Sequence, residues 1–206
     1  MPSNRRRRPN HNARAHAKEK RALARGFPPV IDERARVLVL GSLPGRASLE
    51  ARQYYAQPQN AFWRIMGALV GAGPELEYAG RLARFKESAL GLWDVLAAGH
   101  REGSLDSAIV RATAVVNDFV SLFERYRGIE RVCFNGRTAE QLYRRRVLPD
   151  LPERFAGIPL HALPSTSPAH AGMPFAVKLE RWRILRDHVP GQQQLTRSRR
   201  AGRVER

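Results

Sequence analysis

The sequence predicts an α/β protein with three layers (α/β/α), in which a four-stranded, mainly parallel sheet lies between two layers of helices. Short apolar runs with strand character alternate along the chain with longer amphipathic stretches, which is the element order of parallel α/β folds. The runs are continuously apolar rather than alternating, which is typical of parallel strands that are buried on both faces. We therefore expect helices to cover the sheet from both sides.

Four strands and five helices are predicted in order. The strands are residues 36–41, 89–95, 131–136 and 158–164. The helices are residues 61–70, 78–87, 114–126, 138–146 and 175–189. Within the third helix, Phe119, Leu122, Phe123 and Tyr126 recur at the spacing of one buried helical face. The 206 residues, 43% of them hydrophobic, suffice for one well-filled core, so we predict a single domain over residues 27–190.

The charge of the chain is concentrated at its ends. The sequence holds 36 Lys and Arg against 19 Asp and Glu, a formal net charge of +17. Residues 1–26 lack hydrophobic periodicity and residues 191–206 are polar and Arg-rich, so we predict a flexible basic arm and a flexible basic tail. A strongly positive net charge suits a protein that binds phosphate. Basic tails are equally often solvated segments without a binding role.

Cysteine and hydropathy exclude several classes of protein. The single cysteine, Cys133, lies in an apolar run, where a thiol usually packs as a small core residue, and one cysteine cannot hold an iron-sulfur cluster. No apolar run approaches the roughly 20 residues that span a bilayer, and the N-terminus lacks the apolar segment of a secretory signal. We expect a cytoplasmic protein without a membrane partner, a metal or another cofactor.

Small polar and turn-forming residues follow each predicted strand, where an open parallel sheet binds its ligands. The first strand leads into Gly41, Ser42, Leu43, Pro44 and Gly45, and the second carries Asp94 near its end. The third ends at Asn135 and Gly136, and the fourth runs into Leu163, Pro164, Ser165, Thr166, Ser167 and Pro168. The glycine turn at 41–45 can expose backbone N–H groups to a phosphate or a carbonyl oxygen, although it matches neither nucleotide-binding glycine motif.

Two further segments suit nucleic acid. Residues 53–63 (QYYAQPQNAFW) combine amides and aromatic rings ahead of a helix, which fits a planar base that is stacked by rings and bound at its edge. Asn60 could alternatively cap that helix, and Trp63 is expected in the core. The hydroxyl groups of Ser165, Thr166 and Ser167 could bind DNA phosphates, although an ordinary Ser/Pro loop would look the same.

Taken together and in this order, the motifs resemble a known family. GSLPG, QYYAQPQNAFW, GLWDVL followed by HREGSLDSAI, RVCFNG and LPSTSPAHA resemble the DNA-deoxyinosine (hypoxanthine-DNA) glycosylase branch of the uracil-DNA glycosylase superfamily. The resemblance runs from about Phe27 to Arg186. It implies a uracil-DNA glycosylase-like fold and a monofunctional enzyme, without cofactor and expected to be monomeric. That enzyme would flip a deaminated base, hypoxanthine or uracil, out of double-stranded DNA. Single-stranded DNA stays open as a second substrate, and DNA would place the protein at the nucleoid.

The resemblance also implies roles for individual residues. Asn60 would be catalytic and would hold a water beneath the sugar, whereas apolar Leu43 stands where other members carry an Asp or Asn for that purpose. Asp94 stands where mismatch-specific members have an Asn that binds the base edge, although it could instead accept hydrogen bonds from backbone N–H groups. The backbone from Gly41 to Gly45 would contact the base, and Tyr55 or Phe62 would stack on it.

The remaining implied roles concern DNA and the departing base. Ser165, Thr166 and Ser167 would bind the flanking phosphates, and His170 would either contact DNA or cap the final helix. Leu163 stands where uracil enzymes have a His that stabilises the departing base. The four lysines lie outside the strand-end motifs, so no Schiff-base lyase activity is expected. The alternatives are a uracil- or thymine-mismatch glycosylase, a catalytically silent damaged-DNA-binding module, and a protein held on RNA by its basic arm.

Overall fold

The structure is a computed structural model that describes residues 23–101 and 106–188. The predicted basic tail and residues 1–22 of the predicted arm lie outside the described residues. Within the described ranges, no helix combines the length and the apolar composition needed to cross a membrane.

The chain forms seven strands and seven α-helices in the described part. The strands are β1 Ala24–Arg25, β2 Val37–Gly41, β3 Leu90–Asp94, β4 Leu96–Gly99, β5 Val115–Val116, β6 Arg131–Asn135 and β7 Leu160–Leu163. The helices are α1 Arg46–Ala51, α2 Phe62–Val70, α3 Tyr78–Glu87, α4 Phe119–Arg125, α5 Arg137–Arg146, α6 Glu153–Ala156 and α7 Phe175–Trp182. Single 3-10 turns connect several of these elements, and one follows α7 over Arg183–His188.

The predicted three-layer fold is confirmed. Strands β3, β2, β6 and β7 form one sheet in that order, and every neighbouring pair is parallel. Successive residues of β2 enter different cores, since Leu38 packs against α4 and α5 while Val39 packs against α2, α3 and α7. Helices therefore cover both faces of the sheet, which explains why these strands are continuously apolar.

Two local predictions were wrong, and one small sheet was not predicted. The helix predicted over 114–126 is shorter, because Val115–Val116 form β5 and the helix begins only after Asp118, whose side chain accepts from Ser121 N. Strand β5 belongs to a small antiparallel sheet of order β1-β4-β5 that was not predicted. Ala24 and Arg25, assigned to the arm, pair with Gly99 and Ala98 in that sheet. The ordered chain thus begins before residue 27.

The register of the sheet aligns the strand ends that carry the functional motifs. Gly41 lies opposite Asp94 across the β2–β3 pair, and Asn135 lies opposite Leu163 across the β6–β7 pair. Leu40 pairs with Phe134, so the carboxyl ends of all four strands lie in one row. The segments that follow them meet at that edge, as the sequence predicts for an open parallel sheet.

Candidate active site

A cavity of about 510 Å³ lies at this edge of the sheet, within the size range of small-molecule sites. It brings together every predicted site residue except Phe62. Those residues are Gly41, Ser42, Leu43, Pro44, Gly45, Tyr55, Asn60, Asp94, Ser165, Thr166, Ser167 and His170. Arg101, Asp106 and Asn135, to which the sequence analysis gave no role, also line it. Among the described residues, no group of three or more His, Cys, Asp or Glu could hold a metal ion.

The loop at 41–45 needs glycine where strand β2 ends. A Cβ on Gly41 would overlap Asp94 Oδ1 and would lie 3.0 Å from Tyr55 Oη. The absence of a side chain therefore lets a carboxylate and a phenol approach the backbone from the two neighbouring segments. This close approach, rather than an unusual φ angle, explains the glycine at this position.

A buried arginine fixes the rest of that loop. The Arg101 guanidinium, with 3% of its side chain exposed, donates from Nη1 to Leu43 O at 3.1 Å and from Nη2 to Pro44 O. It also forms an ion pair with Asp106, at 3.3 Å between Nη1 and Oδ1. Ser42 Oγ donates to the same Asp106 oxygen at 2.6 Å. Ser42 therefore fixes the loop through its hydroxyl, whereas Leu43 and Pro44 do so through their carbonyl groups.

Asp94 differs from Asp106 because no arginine or serine side chain binds its carboxyl group. Asp94 is 4% exposed, and its Oδ2 is inaccessible to solvent and accepts no hydrogen bond. Burial raises the pKa of Asp94 to about 7, with a further upward contribution from Asp106 and a downward one from Arg101. The alternative role for Asp94, as an acceptor for backbone N–H groups, is not supported by an oxygen that lacks a donor.

Tyr55 supplies the aromatic ring of the cavity. Its backbone adopts a left-handed conformation with φ of 53°, which is uncommon for a residue with a Cβ and is found at functional sites. Its ring stacks on Phe62, with 4.0 Å between centroids and 24° between planes. Tyr55 Oη is buried without a partner, and burial raises the pKa of this phenol above its usual range.

The predicted contact between Phe62 and a base is corrected by the structure. Phe62 is 0% exposed because it is enclosed by Tyr55, Trp63, Phe85 and Trp182. It supports the Tyr55 ring from behind and does not line the cavity. Trp63 is also buried, as expected, and its Nε1 donates to Tyr54 O at 2.8 Å.

Asn60 lies on the cavity wall, directly before Ala61, which occupies the N-cap position of helix α2. Its Oδ1 accepts from Phe62 N at 3.0 Å, which satisfies one of the free N–H groups at the start of the helix. An amide oxygen has two lone pairs, so this bond leaves Asn60 a second acceptor position. The next residue, Ala61, donates its N–H to Thr166 O at 3.0 Å and thereby joins the Asn60 segment to the Ser/Pro loop.

The Ser/Pro loop is held by the end of strand β6. Asn135 Nδ2 donates to Thr166 Oγ1, and Thr166 N donates to Asn135 Oδ1, both at 2.8 Å. Thr166 is 1% exposed, so its predicted contact with a DNA phosphate is corrected: its hydroxyl binds Asn135 and positions the loop. Ser165 and Ser167 are half-buried at the rim and shape the turn, since each accepts from a backbone N–H two residues later.

His170 is exposed in the 3-10 turn Pro168–His170 at the cavity rim. It does not cap the final helix, because Pro174 occupies the N-cap position of α7. Lys178, on that helix, is buried and donates from Nζ to His170 O at 2.9 Å. Lys178 therefore anchors the turn from behind and does not line the cavity.

Three residues that organise the site were not predicted from the sequence. Arg101 and Asp106 lie within the stretch HREGSLDSAI, but no local pattern distinguishes a buried arginine there from a solvated one. Asn135 was noted only as the end of a strand. A polar side chain directly after a buried apolar run was the one available signal, because such a residue needs hydrogen-bond partners at the edge of the sheet.

Comparisons with known proteins agree with this geometry. A family model described as the uracil DNA glycosylase superfamily matches residues 28–186. A hypoxanthine DNA glycosylase of Methanosarcina acetivorans is 44% identical over 118 residues, which cover 57% of this chain and 73% of the relative. A hypoxanthine DNA glycosylase of Methanosarcina barkeri is 43% identical over 113 residues, which cover 54% of this chain and 70% of the relative.

A solved structure agrees as well. The solution NMR structure of a protein from Methanosarcina acetivorans, named as a candidate uracil DNA glycosylase, is 37% identical in sequence and superposes with a TM-score of 0.64. The match covers 80% of this chain and 99% of that chain. The family model alone spans most of the sequence and includes every strand of the parallel sheet. This chain belongs to the uracil DNA glycosylase superfamily and is a DNA glycosylase.

Proposed function

We propose that this DNA glycosylase removes hypoxanthine from double-stranded DNA by flipping the deoxyinosine nucleotide into the cavity and hydrolysing its N-glycosidic bond. The observation that carries the proposal is the chemistry of the cavity. Asn60 lies on its wall, and three buried polar atoms without partners, Asp94 Oδ2, Tyr55 Oη and Arg101 Nε, belong to residues that line it. The names of the two Methanosarcina relatives support hypoxanthine as the base.

Base flipping follows from where the reacting groups lie. Asn60 and Asp94 line a cavity, so they cannot reach a glycosidic bond or a base edge inside a stacked duplex. Tyr55, supported from behind by Phe62, offers a rigid ring on which the extruded base can stack. Ser165, Ser167 and His170 at the rim are positioned to bind phosphates next to the flipped nucleotide.

Hydrolysis relies on a water held by Asn60. An amide is too weak a base to generate hydroxide, so it contributes by fixing the water below the sugar carbon as the base departs, in a dissociative transition state. The reaction is monofunctional, because among the described residues no lysine lines the cavity and Lys178 is engaged with His170 O. The products are the free base and an abasic site.

The test is excision from matched duplexes that contain a single deoxyinosine or a single deoxyuridine, with abasic sites revealed by mild alkali. We expect strand cutting at inosine and a loss of about 100-fold or more in Asn60→Ala. Gln59→Ala is the matched control, because Gln59 is an exposed amide in the same loop and lies outside the cavity. This variant should cut at the wild-type rate.

The outcomes separate the competing functions. Cutting at uridine alone would make the protein a uracil or mismatch glycosylase. Cutting at neither substrate, with retained binding to the inosine duplex, would indicate a damaged-DNA-binding module. Equal activity in Asn60→Ala would refute the catalytic role of Asn60, whose side chain would then serve only to bind the N–H of Phe62 at the start of α2.

A further inference from the structure

Two carboxyl groups line the cavity, the buried Asp94 and the partly exposed Asp106, and among the described residues that line it Arg101 is the one buried cation. Arg101 forms its ion pair with Asp106 and donates to the carbonyl groups of Leu43 and Pro44, while its buried Nε has no partner. Asp106 is further satisfied by the Ser42 hydroxyl. Among the described residues, no Lys, Arg or His lies within ion-pair distance of Asp94, whose Oδ2 has neither solvent nor a donor.

This arrangement is unfavourable for a negative charge on Asp94. An ionised carboxylate that is removed from water without a hydrogen-bond donor or a cation loses its solvation with no compensation. A neutral carboxylic acid avoids that cost, and it presents a hydrogen-bond donor and an acceptor side by side.

We propose that Asp94 binds the flipped base as a neutral carboxylic acid and donates its proton in a hydrogen bond to the carbonyl oxygen of the base. This inference rests on the proposed function and identifies the substrate as a base with a lactam edge, a carbonyl oxygen next to a ring N–H. Hypoxanthine has such an edge at O6 and N1–H. The acid can therefore donate to the oxygen and accept from the adjacent N–H.

The neutral acid also favours bond cleavage. When the glycosidic bond breaks, its electron pair moves into the base, and part of the resulting negative charge resides on the carbonyl oxygen. A donor aimed at that oxygen binds the departing base more tightly than the intact nucleotide. An ionised Asp94 would face the same charge with a like charge, so ionisation should stop the reaction.

The pKa of Asp94 places the change from the neutral acid to the carboxylate near neutral pH. Burial raises the pKa of Asp94 to about 7, and Asp106 raises it while Arg101 lowers it. Tyr55 adjoins Asp94 at Gly41, and Tyr54 lies behind it in the core. Burial raises the pKa values of both phenols above their usual range, so they stay neutral. His170 lines the rim of the same cavity and is the other group that needs a control.

The experiment measures single-turnover excision of inosine between pH 5.5 and 8.5, with enzyme in saturating excess over a matched duplex. We expect the wild-type rate to fall about tenfold per pH unit above the pKa of Asp94. Asp94→Asn, which keeps a neutral donor and acceptor, should retain a rate within about tenfold of wild type at pH 6 and should lose the alkaline decline. His170→Gln should keep that decline, whatever its absolute rate.

The opposite results would overturn the inference. A wild-type rate that rises to pH 8.5 means that the ionised carboxylate is the active form, and a flat profile means that the ionisation of Asp94 does not control the reaction. A folded Asp94→Asn that is inactive across the whole range also means that the ionised carboxylate is the active form. A decline that persists in Asp94→Asn, or disappears in His170→Gln, belongs to another group. The wild-type profile remains decisive if Asp94→Asn does not fold, and absence of inosine excision by wild type refutes the proposed function instead.

Discussion

The paired hydrogen bonds between Asn135 and Thr166 should make Asn135→Ala costly for both stability and excision. The substitution removes two bonds of 2.8 Å in a buried position and leaves the Thr166 N–H and hydroxyl without partners. Each buried group that loses its partner costs about 1–3 kcal/mol. Because the hydroxyl can rotate toward another acceptor, we place the total loss near 3 kcal/mol. This corresponds to a decrease in Tm of roughly 6–12 °C for a domain of this size.

The assay combines unfolding with a double-mutant cycle. Urea unfolding of wild type, Asn135→Ala, Thr166→Val and the double variant gives the coupling energy of the pair, which we expect to be about 1 kcal/mol or more. Asn117→Ala is the matched control, because Asn117 donates a single 2.8 Å bond to Asp94 O, and its loss should cost about 1 kcal/mol.

Excision activity should also depend on the Asn135–Thr166 pair, because this pair positions the loop that carries Ser165 and Ser167. We expect kcat/KM on the inosine duplex to fall at least tenfold in Asn135→Ala, at a temperature where the variant is fully folded. Strictly additive costs in the cycle, or a loss below about 0.5 kcal/mol for Asn135→Ala, would refute the reasoning that this pair holds the loop.

Three further variants test residues that line the cavity. Gly41→Ala places a methyl group against Asp94 Oδ1 and Tyr55 Oη, so excision should fall at least tenfold with a stability loss of about 1–3 kcal/mol, and wild-type kinetics would contradict this. Arg101→Met removes the donor to Leu43 O and Pro44 O and should destabilise the fold by about 1–3 kcal/mol in urea unfolding, whereas a loss under about 0.5 kcal/mol would show that the loop is held without Arg101. Asp94→Asn should be more stable than wild type at pH 8 but not at pH 4. Burial raises the folded-state pKa of Asp94 to about 7 from about 3.9 in the unfolded chain, so wild type loses stability as pH rises between those values. Equal urea midpoints for wild type and Asp94→Asn at both pH values would contradict this expected loss of wild-type stability.

The parallel sheet was predictable because its strands are buried on both faces and therefore appear as uninterrupted apolar runs. The small antiparallel sheet was not, since β1 and β5 contain two residues each and such short segments have no periodicity to detect. The same limit applies to α1 and α6, with six and four residues. In these segments, the conformation follows from tertiary contacts rather than from local pattern.

The sequence predicted which segments meet at the site. It did not predict which side chains face the cavity. The strand-end rule places the motifs at one edge, yet it does not say that Phe62 points into the core or that Thr166 is turned toward Asn135. Arg101 and Asp106 illustrate the same point, because they act through Ser42, Leu43 and Pro44, which are 57 to 64 residues away in sequence. Contacts between residues so far apart in sequence form only when the sheet has assembled.

The hydrogen bond that Asn60 makes to helix α2 is compatible with the catalytic role proposed for this residue. The sequence left helix capping and catalysis as alternatives. In the structure Ala61 occupies the N-cap position, and Asn60 Oδ1 accepts from the N–H of Phe62, the first residue of α2. That bond fixes the rotation of the amide, because the side chain cannot turn without releasing the helix N-terminus. The second lone pair of the same oxygen is then held in one direction before DNA arrives, and a preorganised acceptor positions a water at less entropic cost than a freely rotating one. In the proposed mechanism this bond therefore contributes to catalysis, and a substitution that keeps the bond to Phe62 N but changes the direction of the second acceptor should separate stability from excision.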